Sequence, residues 1–100
     1  MMAEILLTFH CASVDRDLVA EALRAASGAP VHIRAEMVRG HDFGDARTAE
    51  QVTGNLDRQA VELVVAEEAL PAMVAVVEQA QRRLPVRWRA MPVIGHGRIA

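Results

Sequence analysis

The sequence contains a single cysteine, no long apolar run and no excess of positive charge. Cys11 has no second cysteine to pair with, so an intrachain disulfide framework is excluded and a reducing compartment is indicated. The longest apolar run is far shorter than the roughly 20 residues that span a bilayer, and residues 1–9 lack the basic start of a signal peptide. The net charge of −2 is opposite in sign to that of a typical nucleic-acid-binding domain. We therefore expect a cytoplasmic protein that neither binds nucleic acid nor inserts into a membrane.

Apolar residues, by contrast, are abundant. They make up 52% of the 100 residues, against 24% for charged residues. A chain of this length and composition can bury one hydrophobic core but is too short to divide comfortably into two. We expect a single domain that spans residues 1–100.

Helical and alternating apolar patterns follow one another along the chain. Two helices are predicted, one over residues 18–26 that stops at Gly28 and one over residues 70–84 that stops before Pro85. Four strands are predicted over residues 5–9, 31–38, 61–66 and 86–90. The order β-α-β-β-α-β predicts an α+β, ferredoxin-like fold with an antiparallel sheet of order 4-1-3-2 and both helices on one face. Ser13 or Asp15 is expected to cap the first helix.

The predicted strands carry apolar residues on both sides. In the third strand, Val61, Leu63 and Val65 alternate with Val64 and Ala66. The helices cover only one face of the predicted sheet, which leaves the other face partly apolar and uncovered. Because a monomer seldom exposes a large apolar patch, we expect that face to be buried in an oligomer of identical chains.

A long segment separates the second and third predicted strands. It covers residues 40–59, whereas a hairpin connection usually needs about two to five residues. The segment is rich in glycine and small polar residues, which favour turns and ligand contacts, and it has little apolar material to bury. We predict a functional loop that is mobile in the absence of a ligand.

Two combinations of glycine and arginine are candidate anion sites. Gly54 with Arg58, and the segment 95–98, can present backbone N–H groups and a guanidinium group to a phosphate or another anion. Ordinary turn chemistry on a solvated surface is the alternative, since neither is a Walker-type loop. The candidate ligand-binding residues are Arg39, His41, Gln51, Gly54, Arg58, His96 and Arg98. Because the second and fourth strands lie on opposite edges of the predicted sheet, we expect the tail of one chain to approach the loop of a neighbouring chain.

His10, Cys11 and His41 form a second candidate set, for a divalent transition metal. Imidazole and thiolate groups suit zinc, copper or cadmium. The spacing is unfavourable, because adjacent residues of a strand point to opposite faces and the third strand separates His10 from His41. Polar strand-end residues that share no ligand are the alternative interpretation.

No recognisable catalytic motif occurs in the sequence, so we do not expect an enzyme. Ser/His/Asp and Cys/His arrangements with an orienting carboxylate are missing. Glu67 and Glu68 are explained by a helix N-terminus, and Arg87 and Arg89 by a solvated edge strand. Trp88, Met37, Met73 and Met91 are expected to serve in packing.

The element order, the chain length and the long loop resemble the PII-like superfamily of trimeric signalling proteins. The loop end Ala-Glu-Gln-Val-Thr-Gly at 49–54 and the tail Pro-Val-Ile-Gly-His-Gly-Arg-Ile at 92–99 are similar to those of an uncharacterised bacterial PII-like family often found beside heavy-metal efflux systems. The resemblance implies a homotrimer whose loop, the T-loop of PII proteins, contacts a membrane transporter or another protein, and whose loop base helps to form an inter-subunit ligand cleft. In true PII proteins a Gly-Asp-Gly-Lys-Ile phosphate loop precedes the last strand, whereas the similar residues 95–99 follow it here. The resemblance therefore does not identify the ligand as a nucleotide.

Two functions remain open at this point. The first is that of a small regulatory or sensor protein, a homotrimer that binds a small anion or an adenine nucleotide in inter-subunit clefts and signals through the 40–59 loop. The second is that of a metal-binding or metal-tolerance protein associated with heavy-metal efflux, with a divalent transition metal as its ligand. The sequence names neither the ligand nor the partner protein.

Overall fold

The computed structural model describes residues 3–39 and 56–100. The strands are β1 (Glu4–Ala12), β2 (His32–Val38), β3 (Leu56–Ala66) and β4 (Arg87–Val93), and the helices are α1 (Arg16–Ser27) and α2 (Leu70–Gln79). Short 3-10 turns, Ser13–Asp15 and Glu67–Ala69, lead into the two helices. The strands form one antiparallel sheet in the order β2-β3-β1-β4, so the predicted α+β, ferredoxin-like fold and its strand order are confirmed.

The hydrophobic core lies between one face of the sheet and the two helices. Alternate residues of β1 and β3 point into it, because the side chains of a strand alternate between faces. Leu7 and Phe9 of β1 pair with Leu63 and Val61 of β3, and all four are almost completely buried. The helices complete this cluster with Val19, Leu23, Met73 and Val77. Both helices therefore cover the same face, where each buried Leu or Phe side chain contributes roughly 1.5–3 kcal/mol.

Asp15 is buried between the start of α1 and the segment that precedes β4. The sequence led us to expect that its side chain caps α1, but the structure shows no such capping hydrogen bond. The carboxylate instead accepts hydrogen bonds from the backbone N–H groups of Arg83 at 2.9 Å and Leu84 at 3.0 Å. Ser13 does not cap α1 either, and its hydroxyl accepts a bond from Gln59 Nε2 at 3.4 Å. The carboxylate thus joins the start of α1 to residues that follow it by 68 and 69 positions in the sequence.

The third strand is longer than its apolar pattern indicates. It begins at Leu56, so the last four residues of the predicted 40–59 loop, 56–59, belong to the sheet. The cause is pairing with β2, where Val38 lies opposite Leu56 and Ala35 lies opposite Gln59. Cross-strand hydrogen bonding extends a strand beyond the stretch that its own side chains favour. The rest of the predicted loop, 40–55, lies outside the described residues.

The second helix is shorter than predicted. It ends at Gln79, and Ala80 is already extended, although the apolar stripe continues to Leu84. Arg82 explains the early end, because its Nε donates to the Val77 carbonyl at 2.8 Å and its Nη1 to the Leu84 carbonyl at 3.2 Å. A side chain that satisfies a terminal carbonyl stabilises a helix end. Within residues 3–39 and 56–100, no helix is long and apolar enough to span a membrane.

The methionines divide between core and surface. Met73 is 5% exposed and packs in the core as predicted, but Met37 is 64% exposed and Met91 is 51% exposed, so the prediction was wrong for these two. Both lie on edge strands, where Met91 points away from the helices and Met37 lies at the far end of β2. Trp88, on the edge strand β4, is also 47% exposed.

We call the face of the sheet that lacks helices the open face. It carries the even-numbered residues of β1, β2 and β3 and the odd-numbered residues of β4, as the register requires. Leu6, Val64 and Met91 lie side by side at one end and form a partly exposed apolar patch. The middle and the other end carry mainly charged residues, namely Arg34, Glu36, Arg58, Glu62, Arg87 and Arg89. Val38 and the fully buried Leu56 also lie on the open face at the charged end, so the predicted apolar character is not confined to the patch around Leu6.

Candidate anion-binding site

A cavity of about 420 Å³ opens on the charged end of the open face. Its volume lies within the range of about 300–1,000 Å³ that is typical of small-molecule sites. The described residues that line it are His10, Glu36, Val38, Arg58, Pro85, Val86, Arg87 and Arg89. We call it the arginine cavity.

The strand register brings His10 into the cavity. It sits on β1 opposite Ala60 of β3 and opposite Arg87 of β4. Ala60 is completely buried and has only a methyl side chain, so the space above it is open to longer neighbours. Glu36 of β2 reaches across this gap, and its Oε1 contacts His10 Nδ1. The side chains of His10 and Glu36 are only 20% and 23% exposed.

Arg58 brings a buried guanidinium group to the same end of the sheet. It lies opposite Glu36 on β2 and opposite the small residue Ala12 on β1. The residue is 5% exposed, and its Nη1 donates to the backbone carbonyl of Asp57 at 2.8 Å. Arginine remains charged in such surroundings, so Arg58 adds a fixed positive charge to the cavity wall.

Arg87 and Arg89 supply two further charges from the edge strand β4. They are two positions apart and so share the open face, at a backbone separation of about 7 Å. Both residues are exposed at the cavity mouth. Arg89 makes no hydrogen bond or salt bridge to another residue in 3–39 or 56–100. The described lining thus contains three guanidinium groups and one imidazole against the single carboxylate of Glu36, which favours anions.

Glu62 lies outside the arginine cavity and does not pair with Arg89. Its Oε1 accepts from Arg34 Nη1 at 2.5 Å and its Oε2 accepts from Thr8 Oγ1 at 2.9 Å. Partial burial opposes ionisation, but the hydrogen bonds from Arg34 and Thr8 outweigh it and lower the pKa of Glu62. Both carboxylate oxygens are therefore engaged, although Thr8 lies directly opposite Arg89 in the sheet.

Cys11 does not share a site with His10. The two side chains point to opposite faces of β1, and Cys11 is completely buried under the helices. Burial raises the pKa of the Cys11 thiol to about 11, with a further contribution from the Asp15 carboxylate. A protonated, buried thiol is a poor metal ligand. His41, the third candidate, lies outside the described residues, and those residues contain no cluster of three or more possible metal ligands.

The tail after β4 lies against another part of the open face. His96 and Arg98 line a second cavity of about 540 Å³ together with Leu6, His32 and Glu62. His96 Nε2 lies 2.9 Å from Glu4 Oε2, at the beginning of β1. Leu6 is four positions from His10 along β1, or roughly 13 Å. In one chain, the tail and Arg58 therefore belong to different cavities.

The structure thus brings only some of the predicted ligand residues together. Arg58 lines the arginine cavity, and His96 and Arg98 share the second cavity. Arg39 follows the end of β2 and lines neither of these cavities. His41, Gln51 and Gly54 lie outside the described residues.

Sequence reasoning did not assign His10, Glu36, Arg87 or Arg89 to an anion site. Arg87 and Arg89 were explained by solvation of an edge strand, and His10 was considered only for metal binding. The alternation of Arg87 and Arg89 with Val86, Trp88 and Ala90 already places both arginines on one face. The missing information was the register that sets them beside His10.

The chain belongs to the family "Protein of unknown function (DUF3240)", which matches residues 1–100. No curated protein matches the sequence. A solved structure of a DUF3240 family protein from Shewanella baltica OS155 is similar, with a TM-score of 0.77, 14% identity and coverage of 100% of both chains.

Two PII-type proteins share the same fold. Arabidopsis thaliana PII bound to citrate has a TM-score of 0.65 and 12% identity, and the match covers 92% of this chain and 78% of that one. A PII-like signalling protein from Thermus thermophilus has a TM-score of 0.61 and 17% identity, over 92% and 88% of the two chains. Because identities are this low, the likeness concerns the fold alone. It supports the PII-like fold expected from the sequence, whereas the link to heavy-metal efflux stays a prediction.

Proposed function

We propose that this chain is a small PII-like regulatory protein that binds a small anion in the arginine cavity. The observation that carries the proposal is the excess of positive charge in the described lining, where Arg58, Arg87 and Arg89 face a single carboxylate. Guanidinium groups bind carboxylates and phosphates through paired hydrogen bonds, and apolar walls strengthen such contacts by excluding water. The citrate bound to Arabidopsis thaliana PII supports the idea that this fold accommodates a small anion. An adenine nucleotide, which is also negatively charged, remains a candidate ligand.

The cavity is well placed to influence the 40–59 segment. Glu36 and Val38 belong to the last three residues of β2, and Arg58 is the third residue of β3. A ligand in the cavity therefore contacts both strands that border residues 40–55. We propose that the protein signals by this route to a partner protein, such as a membrane transporter.

We further propose a homotrimer in which the tail of one chain adds His96 and Arg98 to the ligand cleft of the next. The tail and the arginine cavity are separate within one chain, so a neighbouring copy is needed to bring them together. Ile94 and Ile99 support an intermolecular role for the tail, because both are fully exposed in the single chain. Light scattering of the dilute protein measures the assembly directly, and a monomeric mass contradicts this part of the proposal.

A thermal-shift screen tests the ligand class. The compounds are phosphate, citrate and ATP, with zinc, copper and cadmium as the metal arm. A ligand at ten times its Kd stabilises the native state by about 1.4 kcal/mol, which raises the Tm of a domain of this size by several degrees. We expect an anion, and not a metal, to produce this shift.

Three arginine variants locate the site. Arg89→Gln should remove most of the shift, because it deletes an exposed charge at the cavity mouth. Arg24→Gln is the matched control, since Arg24 is exposed on α1 and paired with Glu21. Arg98→Gln should weaken binding if the tail of a neighbouring chain completes the cleft, and should leave it unchanged if each chain binds the anion alone. A full shift with Arg89→Gln, or a shift with metals alone, contradicts the proposed function.

A further inference from the structure

We infer that the arginine cavity selects a dipolar ligand, with an anionic group at the β4 end and a hydrogen-bond donor such as an amino group at the β2 end. Glu36 is the residue that makes this selection. The inference rests on the proposed anion binding and adds which kind of anion the cavity accepts.

The β4 end of the cavity is strongly cationic. Arg87 and Arg89 project there from alternate positions of one strand. Arg89 has no hydrogen bond or salt bridge within residues 3–39 and 56–100, and both oxygens of Glu62, which pairs with Thr8 opposite Arg89, already accept from Arg34 and Thr8. A carboxylate or phosphate is therefore favoured at this end.

The β2 end has a different charge balance. Glu36 lies opposite Arg58 in the sheet and contacts His10 through Oε1. One carboxylate thus faces one guanidinium and one imidazole, so this end is close to neutral. A second anionic group of a ligand would meet the negative charge of Glu36, whereas a donor group would find an acceptor. Like charges in a partly buried site are unfavourable, and such repulsion is a common source of specificity.

The distance between the two ends limits the length of the ligand. Glu36 reaches across Ala60 to His10, and His10 is one strand from Arg87. One strand spacing combined with a two-residue step along β4 gives roughly 5–8 Å from this contact to the two arginines. Val38, Pro85 and Val86 supply apolar lining. A carboxylate joined to an amino group by three or four methylene groups has about this length.

Two probes of equal chain length test the inference. 4-Aminobutyrate carries a carboxylate and an ammonium group, and glutarate carries two carboxylates on the same three-methylene chain. Their Kd values are measured by amide-resolved NMR titration of the intact protein at neutral pH. We expect the wild-type protein to prefer 4-aminobutyrate and Glu36→Gln to shift the preference towards glutarate by about five-fold or more, since about 1 kcal/mol corresponds to this factor.

Glu21→Gln serves as the matched control. Glu21 is an exposed acid on α1 that pairs with Arg24, so its removal changes the net charge equally without altering the cavity. An equal change of preference in both variants, or no change in Glu36→Gln, overturns the inference. The inference is supported if Glu36→Gln binds glutarate and neither the wild type nor Glu21→Gln does.

The outcome remains separable from that of the screen. If neither probe binds to either protein, the dipolar ligand is excluded, while a thermal shift with phosphate or citrate still supports anion binding. If no anion in the screen raises the Tm, the proposed anion-binding function is itself contradicted.

Discussion

The two faces of the central strand β1 perform different tasks within nine residues. Towards the helices, Leu7, Phe9 and Cys11 are apolar and fully buried. Towards the open face, Thr8 and His10 contact carboxylates from neighbouring strands. The comparison teaches that one alternating strand can anchor the core on one side and position a ligand site on the other. Substitutions on the first face should change stability, and those on the second should change binding.

The largest expected effect comes from the helix-covered face. Leu7→Ala should destabilise the protein by about 2–5 kcal/mol, because the site is completely buried and the lost side chain leaves a cavity. Its neighbour Leu6 is only partly buried on the open face, so Leu6→Ala should cost clearly less. Urea unfolding of both variants measures the difference. Equal losses would show that the open face is as tightly packed as the core.

Asp15 should have the next largest effect. Asp15→Ala removes a buried carboxylate and leaves the N–H groups of Arg83 and Leu84 without their acceptor, and we expect a loss of about 2–3 kcal/mol. Asp15→Asn keeps one acceptor oxygen and should lose less. Thermal unfolding with each variant tests this order, and an unchanged Tm for Asp15→Ala would contradict the role given to this carboxylate.

Cys11 should make stability depend on pH in the alkaline range. Its pKa is raised to about 11 by burial and by Asp15, whereas the pKa of an unfolded cysteine is about 8.5. The folded state therefore favours the neutral thiol, and this stabilisation is complete below the unfolded pKa. It should be lost progressively as the pH rises from about 8.5 towards 11, by roughly 1–3 kcal/mol. Cys11→Ala should lack this decline. The free energy of unfolding of both proteins, measured at several pH values, tests this expectation.

Glu62 should give the smallest effect, at acidic pH. Hydrogen bonds from Arg34 and Thr8 lower its pKa in the folded protein. The resulting stabilisation is present above the unfolded pKa and is lost as the pH falls through the lower, folded value. Because Arg34 is half exposed, we expect no more than about 1 kcal/mol. Glu62→Gln should flatten this part of the pH profile, and a profile as steep as that of the wild type would assign the acid loss to other groups.

Much of the fold could be predicted from the sequence. Alternation fixed the approximate strand positions, three- and four-residue spacing fixed the helices, and Gly28 marked the end of α1 in the left-handed region at φ 68°. Boundaries were less predictable. Residues 56–59 become strand through pairing with β2, and α2 ends early because Arg82 bonds to its last turn. The first cause lies on another strand and the second on a side chain that folds back onto the helix end, so the local apolar pattern contains neither.

The candidate site was less predictable than the fold. Arg58 was identified from the sequence, but as part of a loop and alongside a tail that lies in a different cavity. Arg87 and Arg89 looked like ordinary solvated residues of an edge strand. A local pattern shows which side chains share a face, but not which residue on another strand lies beside them.

The sequence by itself determined the kinds of elements, their order and the face to which each side chain belongs, because these follow from local periodicity. The tertiary structure alone decided that Glu36 meets His10 across 26 residues of sequence. That contact depends on the register of three strands and on the small side chain of Ala60 between the two partners. Register is set by core packing and cross-strand hydrogen bonds over the whole sheet, so no single segment encodes it.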